Sequence, residues 1–213
     1  MKILNLYAGI GGNRKLWGDE HEVTAVEYDP KIAEIYKKNF PNDTVIVADA
    51  HQYLLEHFRE FDFIWSSPPC PTHSRMRKVC AVKKKKDGTT YEQNKPVFPS
   101  MILYEEILFL EHYFKGLWVV ENVVPYYKPL IEPQKLGRHC FWSNIELPKK
   151  KFEPRGSFDD IDKLAKKLGF DVNTLKGTNK KLLLRNCVEP EVGEYIMELV
   201  KCQFLDANSA TSE

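Results

Sequence analysis

Short apolar runs alternate with amphipathic stretches along the first part of the chain. Four runs have the length and composition of buried strands, and two stretches between them space their apolar residues as helices do. The predicted strands are Lys2–Tyr7, Glu22–Glu27, Thr44–Ala48 and Phe61–Ser66, and the predicted helices are Pro30–Phe40 and His51–Arg59. Strands alternating with helices at this pitch indicate βαβ units. We therefore predict an α/β fold with a parallel sheet covered on both faces.

The pattern continues less regularly after residue 66. Further helices are predicted at Ser100–Phe114, Ile161–Leu168 and Glu189–Phe204, and further strands at Leu117–Val120 and Cys140–Trp142. The composition changes at Lys149, where apolar residues become sparse. We expect a main domain over residues 1–148, a small appended segment over 149–185, a helix over 186–205 that returns to the main domain, and a frayed tail over 206–213.

Composition excludes several classes of protein. Hydrophobic residues make up 43% and charged residues 29%, and no apolar run approaches the roughly 20 residues of a membrane helix. The five cysteines include no CxxC pair, so neither a disulfide framework nor a metal site is predicted. The chain begins with a strand-like run rather than an export signal. We expect a cytoplasmic monomer of a bacterial or phage-infected cell, neither secreted nor bound to a membrane.

The net charge of +1 conceals two basic segments on an acidic body. Residues 71–95 hold eight Lys or Arg against two Asp or Glu, and residues 149–185 hold eleven against five. Such segments suit contact with a polyanion, although lysine runs can also be solvated loops. The candidates for phosphate contact in the first segment are Ser74, Arg75, Arg77, Lys78, Lys83, Lys84, Lys85 and Lys86.

Glycines and carboxylates follow the first three predicted strands. Gly9, Gly11 and Gly12 lie where the first strand ends, and glycine there lets backbone N–H groups approach a ligand. Glu27 ends the second strand and Asp49 follows the third, where carboxylates can accept hydrogen bonds from a ribose and an adenine. Each acid alone could be a helix cap. Together, at one edge of a parallel sheet, they predict a ligand that carries adenosine.

A cysteine between prolines follows the fourth strand. Pro68, Pro69 and Pro71 stiffen the backbone around Cys70, and cationic side chains follow it. Because nearby cations lower the pKa of a thiol, we expect a reactive thiolate. Glu121 ends the fifth strand and should emerge at the same edge. A nucleophile and an acid together suit addition to a heteroaromatic ring that is protonated as it is attacked.

These motifs, taken in order, resemble those of the cytosine-C5 DNA methyltransferases. The resemblance covers almost the whole chain except about residues 149–180. It is carried by residues 6–12, Glu27-Tyr28-Asp29, Asp49-Ala50, Pro68-Pro69-Cys70, Glu121-Asn122-Val123, Gln134 with Arg138, and Asn186-Cys187-Val188. The resemblance implies a doubly wound, Rossmann-like methyltransferase fold dependent on S-adenosyl-L-methionine. Residues 149–185 would then be a very small target-recognition segment.

The resemblance also implies roles for individual residues. Cys70 would attack C6 of cytosine, Glu121 would hold the ring N3 and the exocyclic amine, and Arg138 would support the site electrostatically. The cofactor-binding residues that it implies are Tyr7, Ala8, Gly9, Ile10, Gly11, Glu27, Tyr28, Asp49, Ala50, Pro68, Asn186 and Val188. Three positions depart from the family pattern: Pro71 replaces the usual glutamine, Arg185 replaces a glycine, and His139 follows Arg138.

The implied reaction is methylation of a cytosine flipped out of duplex DNA, as in restriction–modification systems. Because the segment available for reading base edges is small, we expect weak or very short sequence specificity. Three alternatives stay open. The substrate could be RNA such as tRNA, the group added at C5 could be something other than methyl, or the chain could bind nucleic acid without turnover.

Overall fold

The computed structural model describes residues 1–75, 82–84, 87–92, 98–153, 155 and 160–210. The strands are β1 (Lys2–Leu6), β2 (Glu22–Glu27), β3 (Thr44–Val47), β4 (Phe63–Ser66), β5 (Val82–Lys84), β6 (Thr90–Glu92), β7 (Leu117–Val123), β8 (Gln134–Leu136) and β9 (His139–Ser143). The helices are α1 (Pro30–Asn39), α2 (Ala50–His57), α3 (Ile102–Tyr113), α4 (Ile161–Lys167), α5 (Lys180–Asn186) and α6 (Pro190–Ala210). Short 3-10 turns cover Phe58–Glu60 and Val172–Leu175.

Seven strands form one sheet in the order β3-β2-β1-β4-β7-β9-β8. Strands β1, β2, β3, β4 and β7 are parallel, whereas β9 runs antiparallel to β7 and to β8. The chain first winds outward from β1 to β3 and then returns to place β4 on the other side of β1. In such sheets the ligand crevice lies at the carboxyl ends of the strands where the order reverses. This confirms the predicted doubly wound α/β fold.

Both faces of the sheet are covered by apolar side chains. One core packs α2 and α3 against the sheet through residues such as Leu54, Ile107 and Leu110. The opposite core packs α6 against β1 and β4 through Ile196 and Val200, next to the buried Trp17. Burial on both faces explains why the central strands read as continuous apolar runs rather than alternating ones.

Residues 160–187 pack against the body of the protein. Leu164, Leu168 and Leu184 share a buried cluster with Ile10, which follows β1, and with Ile35 of α1. Residues 160–185 of the predicted recognition segment therefore pack beside the glycine turn. Its role in recognising a target stays a prediction.

Several boundaries differ from those expected. Helix α6 continues past the predicted end at Phe204 to Ala210, so the predicted tail is helical over much of its length. The sequence pattern missed α5, β8 and the antiparallel β5–β6 pair inside the basic 71–95 stretch. Strand β7 continues through Glu121 to Val123 rather than ending at Val120. No helix among the described residues is long and apolar enough to span a membrane.

Candidate active site

A cavity of about 550 Å³ opens at the carboxyl edge of β1 and β4, the point where the strand order reverses. Its walls come from the turns after β1, β2, β3 and β4, from β7 and from the α5–α6 connection. Of the residues predicted from the sequence, it brings together Tyr7, Ala8, Gly9, Ile10, Glu27, Tyr28, Asp49, Ala50, Pro68, Cys70, Glu121, Arg138, Asn186 and Val188. The volume lies in the range typical of cavities that hold small molecules and cofactors.

The glycine turn is held open by the carboxylate of Glu27. Its two oxygens accept hydrogen bonds from the backbone N–H groups of Gly9, at 2.9 Å, and Asp29, at 3.0 Å. Gly9 has φ +56°, and a Cβ there would meet no atom within 4 Å, so its α-carbon faces open space. A carboxylate has further acceptor sites, which leaves Glu27 able to accept from a ribose hydroxyl as well.

Gly11 is not among the residues that line the cavity, and its role in cofactor binding stays a prediction. Its N–H donates to the Ala8 carbonyl, and its φ is +83°. A Cβ at this position would lie 2.2 Å from the Phe40 ring. Gly11 is therefore a packing glycine beneath the turn. Gly12, which belongs to the predicted glycine turn, and Asn13, which the sequence analysis did not single out, line the cavity instead.

Polar and aromatic groups suited to a nucleoside line the next part of the cavity. The Tyr28 ring is 76% exposed, so it is free to pack on a planar ligand. Asp49 is the N-cap of α2, and one of its carboxylate oxygens accepts from the N–H of Gln52 at 2.9 Å. A carboxylate has further acceptor sites, so Asp49 can cap the helix and also contact a ligand. This donor and acceptor set, with Glu27, fits the adenosine moiety of S-adenosyl-L-methionine.

Cys70 begins a tight turn that is bonded to the segment after β7. The Cys70 carbonyl accepts from the N–H groups of His73 and Ser74 at 2.9 and 3.0 Å. Asn122, which is buried, donates to the carbonyl of Pro68 at 2.9 Å. Because Asn122 adjoins Glu121, this bond fixes the strand of the acid relative to the loop of the nucleophile.

The surroundings of Cys70 raise the pKa of its thiol. Burial is the largest cause, the Glu121 carboxylate adds to it, and Arg138 acts weakly in the opposite direction. The expected activation by the cations that follow Cys70 is wrong for the described ones. His73 is buried, burial lowers its pKa, and its Nδ1 lies 2.5 Å from the Tyr127 hydroxyl. At neutral pH the Cys70 side chain is therefore a protonated thiol.

Glu121 belongs to a buried chain of three ionisable side chains. Nδ1 of His139 lies 2.5 Å from Oε1 of Glu121, and Nε2 of His139 lies 3.0 Å from Oε2 of Glu189. Burial acts to lower the pKa of His139, but the charges and hydrogen bonds of both glutamates outweigh it and raise that pKa above its ordinary value. The sequence analysis assigned no role to His139 or Glu189.

Arg138 lines the cavity but is bonded largely to the α5–α6 connection. Its Nε donates to Oε1 of Glu189 at 2.8 Å, and its Nη2 donates to the carbonyls of Cys187 and Arg185 at 2.8 and 3.1 Å. Arg138 thus contributes positive charge to the cavity, as expected, and also holds the wall that carries Asn186 and Val188.

The predicted phosphate contacts are only partly described. Arg75 is exposed, and its Nε donates to the Pro125 carbonyl at 3.2 Å. Ser74 forms a backbone bridge with Pro125. The backbone of Lys83 and Lys84 lies in β5, which pairs with β6. The other predicted contacts, Arg77, Lys78, Lys85 and Lys86, lie outside the described residues.

Another buried carboxylate, which the sequence analysis missed, supports the wall of the cavity. Glu106 of α3 is fully buried and accepts from the Tyr7 hydroxyl at 2.6 Å and the Ser66 hydroxyl at 2.5 Å. Nδ1 of His51 lies 3.1 Å from the same carboxylate, which is the largest cause of the raised pKa of His51. Tyr7 has φ +54°, an uncommon conformation for a residue with a side chain. Glu106 therefore anchors the residue at which β1 turns towards the cavity.

Comparison with known families identifies the protein family of this chain. The family model of the C-5 cytosine-specific DNA methylases matches residues 1–109, which is half of the chain. The chain belongs to this family. The match includes the glycine turn and Cys70, whereas Glu121 and the histidine beside it lie beyond its end.

Curated relatives of the cytosine-C5 family match over a shorter stretch. The tRNA (cytosine(38)-C(5))-methyltransferases of Rattus norvegicus and Homo sapiens are 32% and 30% identical over 82 residues, which is 36% of this chain. The chain spans about a fifth of the length of these relatives, since the match covers 21% of each.

Solved structures of methyltransferases overlap with part of the chain. A DNMT2 mutant of Spodoptera frugiperda is 27% identical, with a TM-score of 0.36, and the overlap covers 57% of this chain and 35% of that one. A SAM-dependent methyltransferase from Agrobacterium tumefaciens is 17% identical, with a TM-score of 0.36, over 60% of this chain and 40% of that one.

Proposed function

We propose that the chain methylates carbon 5 of a cytosine in nucleic acid, with Cys70 as the nucleophile and Glu121 as the acid. The observation that carries the proposal is that both side chains line one cavity together with the glycine turn after β1. S-adenosyl-L-methionine is the expected cofactor, and Glu27, Tyr28 and Asp49 would hold its adenosine. When bound, it supplies an electrophilic methyl group beside the base.

The residues of the chain would make C5 reactive. C5 of cytosine is a poor nucleophile, so Sγ of Cys70, as a thiolate, adds to C6 and the electron pair of the C5–C6 double bond becomes available at C5. Glu121 gives a proton to N3, which neutralises the charge that the addition places on the ring. Once the methyl group is bonded to C5, the C5 proton passes to water, the C5–H electron pair re-forms the C5–C6 double bond as the Sγ–C6 bond breaks, and Glu121 recovers the N3 proton.

The target base must leave its stack to reach this site. Cys70 and Glu121 lie inside a cavity rather than on a protruding surface. A base within a duplex cannot reach such groups, so it has to be turned out at a cost of a few kcal/mol. A single-stranded or looped cytosine would avoid most of that cost.

Two polymers are candidate substrates. The description of the family model supports DNA, whereas the names of the relatives support tRNA. The matched stretch of the relatives spans only 82 residues, so the part of each relative outside it contributes nothing to the choice. We propose cytosine in nucleic acid as the substrate class and leave the choice between the two polymers to the assay.

The test is transfer of a tritiated methyl group to duplex DNA, single-stranded DNA and tRNA. We expect incorporation into one of these polymers, and mass spectrometry of the digested product should show 5-methylcytosine. Cys70→Ser should abolish incorporation, whereas Cys202→Ser, at an exposed position of α6, should retain it. Incorporation that survives Cys70→Ser would contradict the mechanism.

A trapping experiment separates an enzyme from a binding module. A 5-fluorocytosine version of the accepted polymer cannot lose a proton from C5, so the Cys70 adduct should persist as a covalent complex in denaturing gels. A non-covalent complex alone, with wild-type protein and cofactor present, would favour a binding module without turnover.

A further inference from the structure

His139 is buried between two carboxylates, and one of them is the proposed acid. The ring belongs to the first residue of β9, which pairs with Val123 at the end of β7. Oε1 of Glu121 lies 2.5 Å from its Nδ1 and Oε2 of Glu189 lies 3.0 Å from its Nε2, while the histidine itself is 2% exposed. Oε2 of Glu189 accepts at Nε2, and Oε1 of Glu121 accepts at Nδ1 when the proton of this acid lies on Oε2, so both ring nitrogens donate, which only the imidazolium can do.

The charges around the ring come from four parts of the chain. Glu121 of β7 and Glu189, which precedes α6, face the two nitrogens, and Arg138 and Arg155 donate to or pair with Glu189 at 2.8 and 3.3 Å. Burial acts to raise the pKa of Glu189, but His139 and Arg138 outweigh it and hold that pKa at about 2. Glu189 is therefore a carboxylate at neutral pH.

Among the described residues, no hydrogen bond reaches Oε2 of Glu121, although the side chain lines the cavity. The histidine thus holds one oxygen of the carboxyl group and leaves the other for a ligand. The hydrogen bond to His139 fixes the rotamer of Glu121. Groups that act on a reacting base lower the barrier most when they are already oriented before the reaction.

We propose that His139, held as an imidazolium by Glu189, is a positioning residue that orients Glu121 and stabilises the carboxylate that Glu121 becomes when it protonates the base. This inference rests on the proposed function. In the step concerned, the Sγ–C6 bond forms, the O–H bond of Glu121 breaks, and N3 gains that proton. The Nδ1–H of His139 then faces a carboxylate, and the proton returns to Glu121 when the Sγ–C6 bond breaks.

The test uses two substitutions at Glu189. Glu189→Gln removes the charge that keeps the second proton on the ring, whereas Glu189→Asp keeps that charge and serves as the matched control. We expect the kcat of Glu189→Gln, divided by the wild-type kcat at the same pH, to fall as pH rises and then to level off. The total fall should be about tenfold for each unit by which the substitution lowers the pKa of His139. The ratio for Glu189→Asp should stay constant with pH. Equal pH dependence of the two variants would overturn the proposal.

A second measurement does not depend on methyl transfer. In ¹⁵N-labelled wild-type protein the NMR signals of His139, assigned with His139→Gln, should report a ring that carries two protons at pH 7, and Glu189→Gln should lower the pH of its titration. A neutral ring in the wild-type protein at pH 7 would overturn the inference. A charged ring in a protein that transfers no methyl group would instead count against the proposed function alone.

Discussion

At the residue scale, the sulfur of Cys70 sets the pH at which the site becomes reactive. Burial raises the pKa of this thiol, and the neighbouring Glu121 raises it further. Both effects disfavour the thiolate, so the proposed mechanism requires the thiolate to form after substrate and cofactor have bound. This arrangement protects the resting thiol from reagents in solution, because the thiolate is the form that reacts.

Alkylation of Cys70 should therefore be slow at neutral pH. We expect its rate with iodoacetamide to reach half of its maximum above the value of about 8.5 that is typical of free cysteine. Less than about 3% of the thiol would then be ionised at pH 7. Mass spectrometry of peptides across a pH series measures the rate, and the exposed Cys202 provides an internal reference for the reagent. Half-maximal alkylation below about pH 8 would show that cations activate the thiol after all.

The buried Glu106 makes a second prediction about single residues. Tyr7→Phe removes the 2.6 Å hydrogen bond to a fully buried carboxylate. We expect the free energy of unfolding to fall by about 1–3 kcal/mol, because the carboxylate loses a donor that water cannot replace. Urea unfolding followed by circular dichroism measures the change.

A matched control for Tyr7→Phe is Tyr53→Phe. The Tyr53 ring stacks on His57 with its centroid 4.2 Å away, and among the described residues its hydroxyl has no hydrogen-bond partner. We expect Tyr53→Phe to change the unfolding free energy by less than about 0.5 kcal/mol. Equal effects of the two substitutions would mean that the Tyr7–Glu106 bond adds no stability.

At the scale of elements, the turn after Cys70 is bonded to the segment that follows β7. The N–H of Tyr126 donates to the His73 carbonyl at 3.2 Å, and the Tyr127 hydroxyl lies 2.5 Å from Nδ1 of His73. These bonds, with the one from Asn122 to Pro68, join the nucleophile's loop to the strand of the acid. The two reacting side chains therefore depend on one shared scaffold.

Tyr127→Phe should loosen that scaffold without touching the cofactor wall. We expect kcat to fall by about ten- to a hundredfold, because small displacements of a catalytic group have effects of this size. The dissociation constant of S-adenosyl-L-methionine, measured by calorimetry, should stay within about twofold, since Tyr127 does not line the cavity. Tyr113→Phe, at an exposed residue on α3, is the control. An unchanged kcat for Tyr127→Phe would show that the contact between Tyr127 and His73 does not position the proposed catalytic groups.

The elements show how far the sequence could predict this structure. Strands β1 to β4 and helices α1 to α3 were placed within a few residues, because buried parallel strands and amphipathic helices have strong patterns. Helix α5 and strand β8 were missed, since they are short and their stability comes from packing against distant residues. Cys70 follows β4 in the chain, and Glu121 lies among the last three residues of β7, so the predicted strands were enough to single out both as candidate site residues. His139 and Glu189 are fifty residues apart, and nothing local indicates that they meet.

At the scale of the whole molecule, two basic parts of residues 149–185 lie in different places. Arg185 is exposed and lines the mouth of the cavity at the end of α5. Lys149 and Lys151 are exposed beside Lys150, whose ammonium lies 4.4 Å from the ring centroid of Tyr195 on α6. The lysine run therefore lies along the face covered by α6. A count of charges along the sequence treats Arg185 and the lysine run alike. In the structure, however, Arg185 lines the cavity and the lysine run lies beside α6.

Salt dependence of binding should distinguish the two groups. Each phosphate contact contributes about 0.7 to 0.9 to the slope of log affinity against log salt concentration. We expect Arg185→Gln to reduce that slope by about this amount with whichever polymer is methylated, because Arg185 lies where the target strand must enter. Lys149→Gln removes the same charge from the same segment and should leave the slope unchanged. If Lys149→Gln reduced the slope and Arg185→Gln did not, the polymer would bind along the α6 face, and the cavity would receive its base from a different direction.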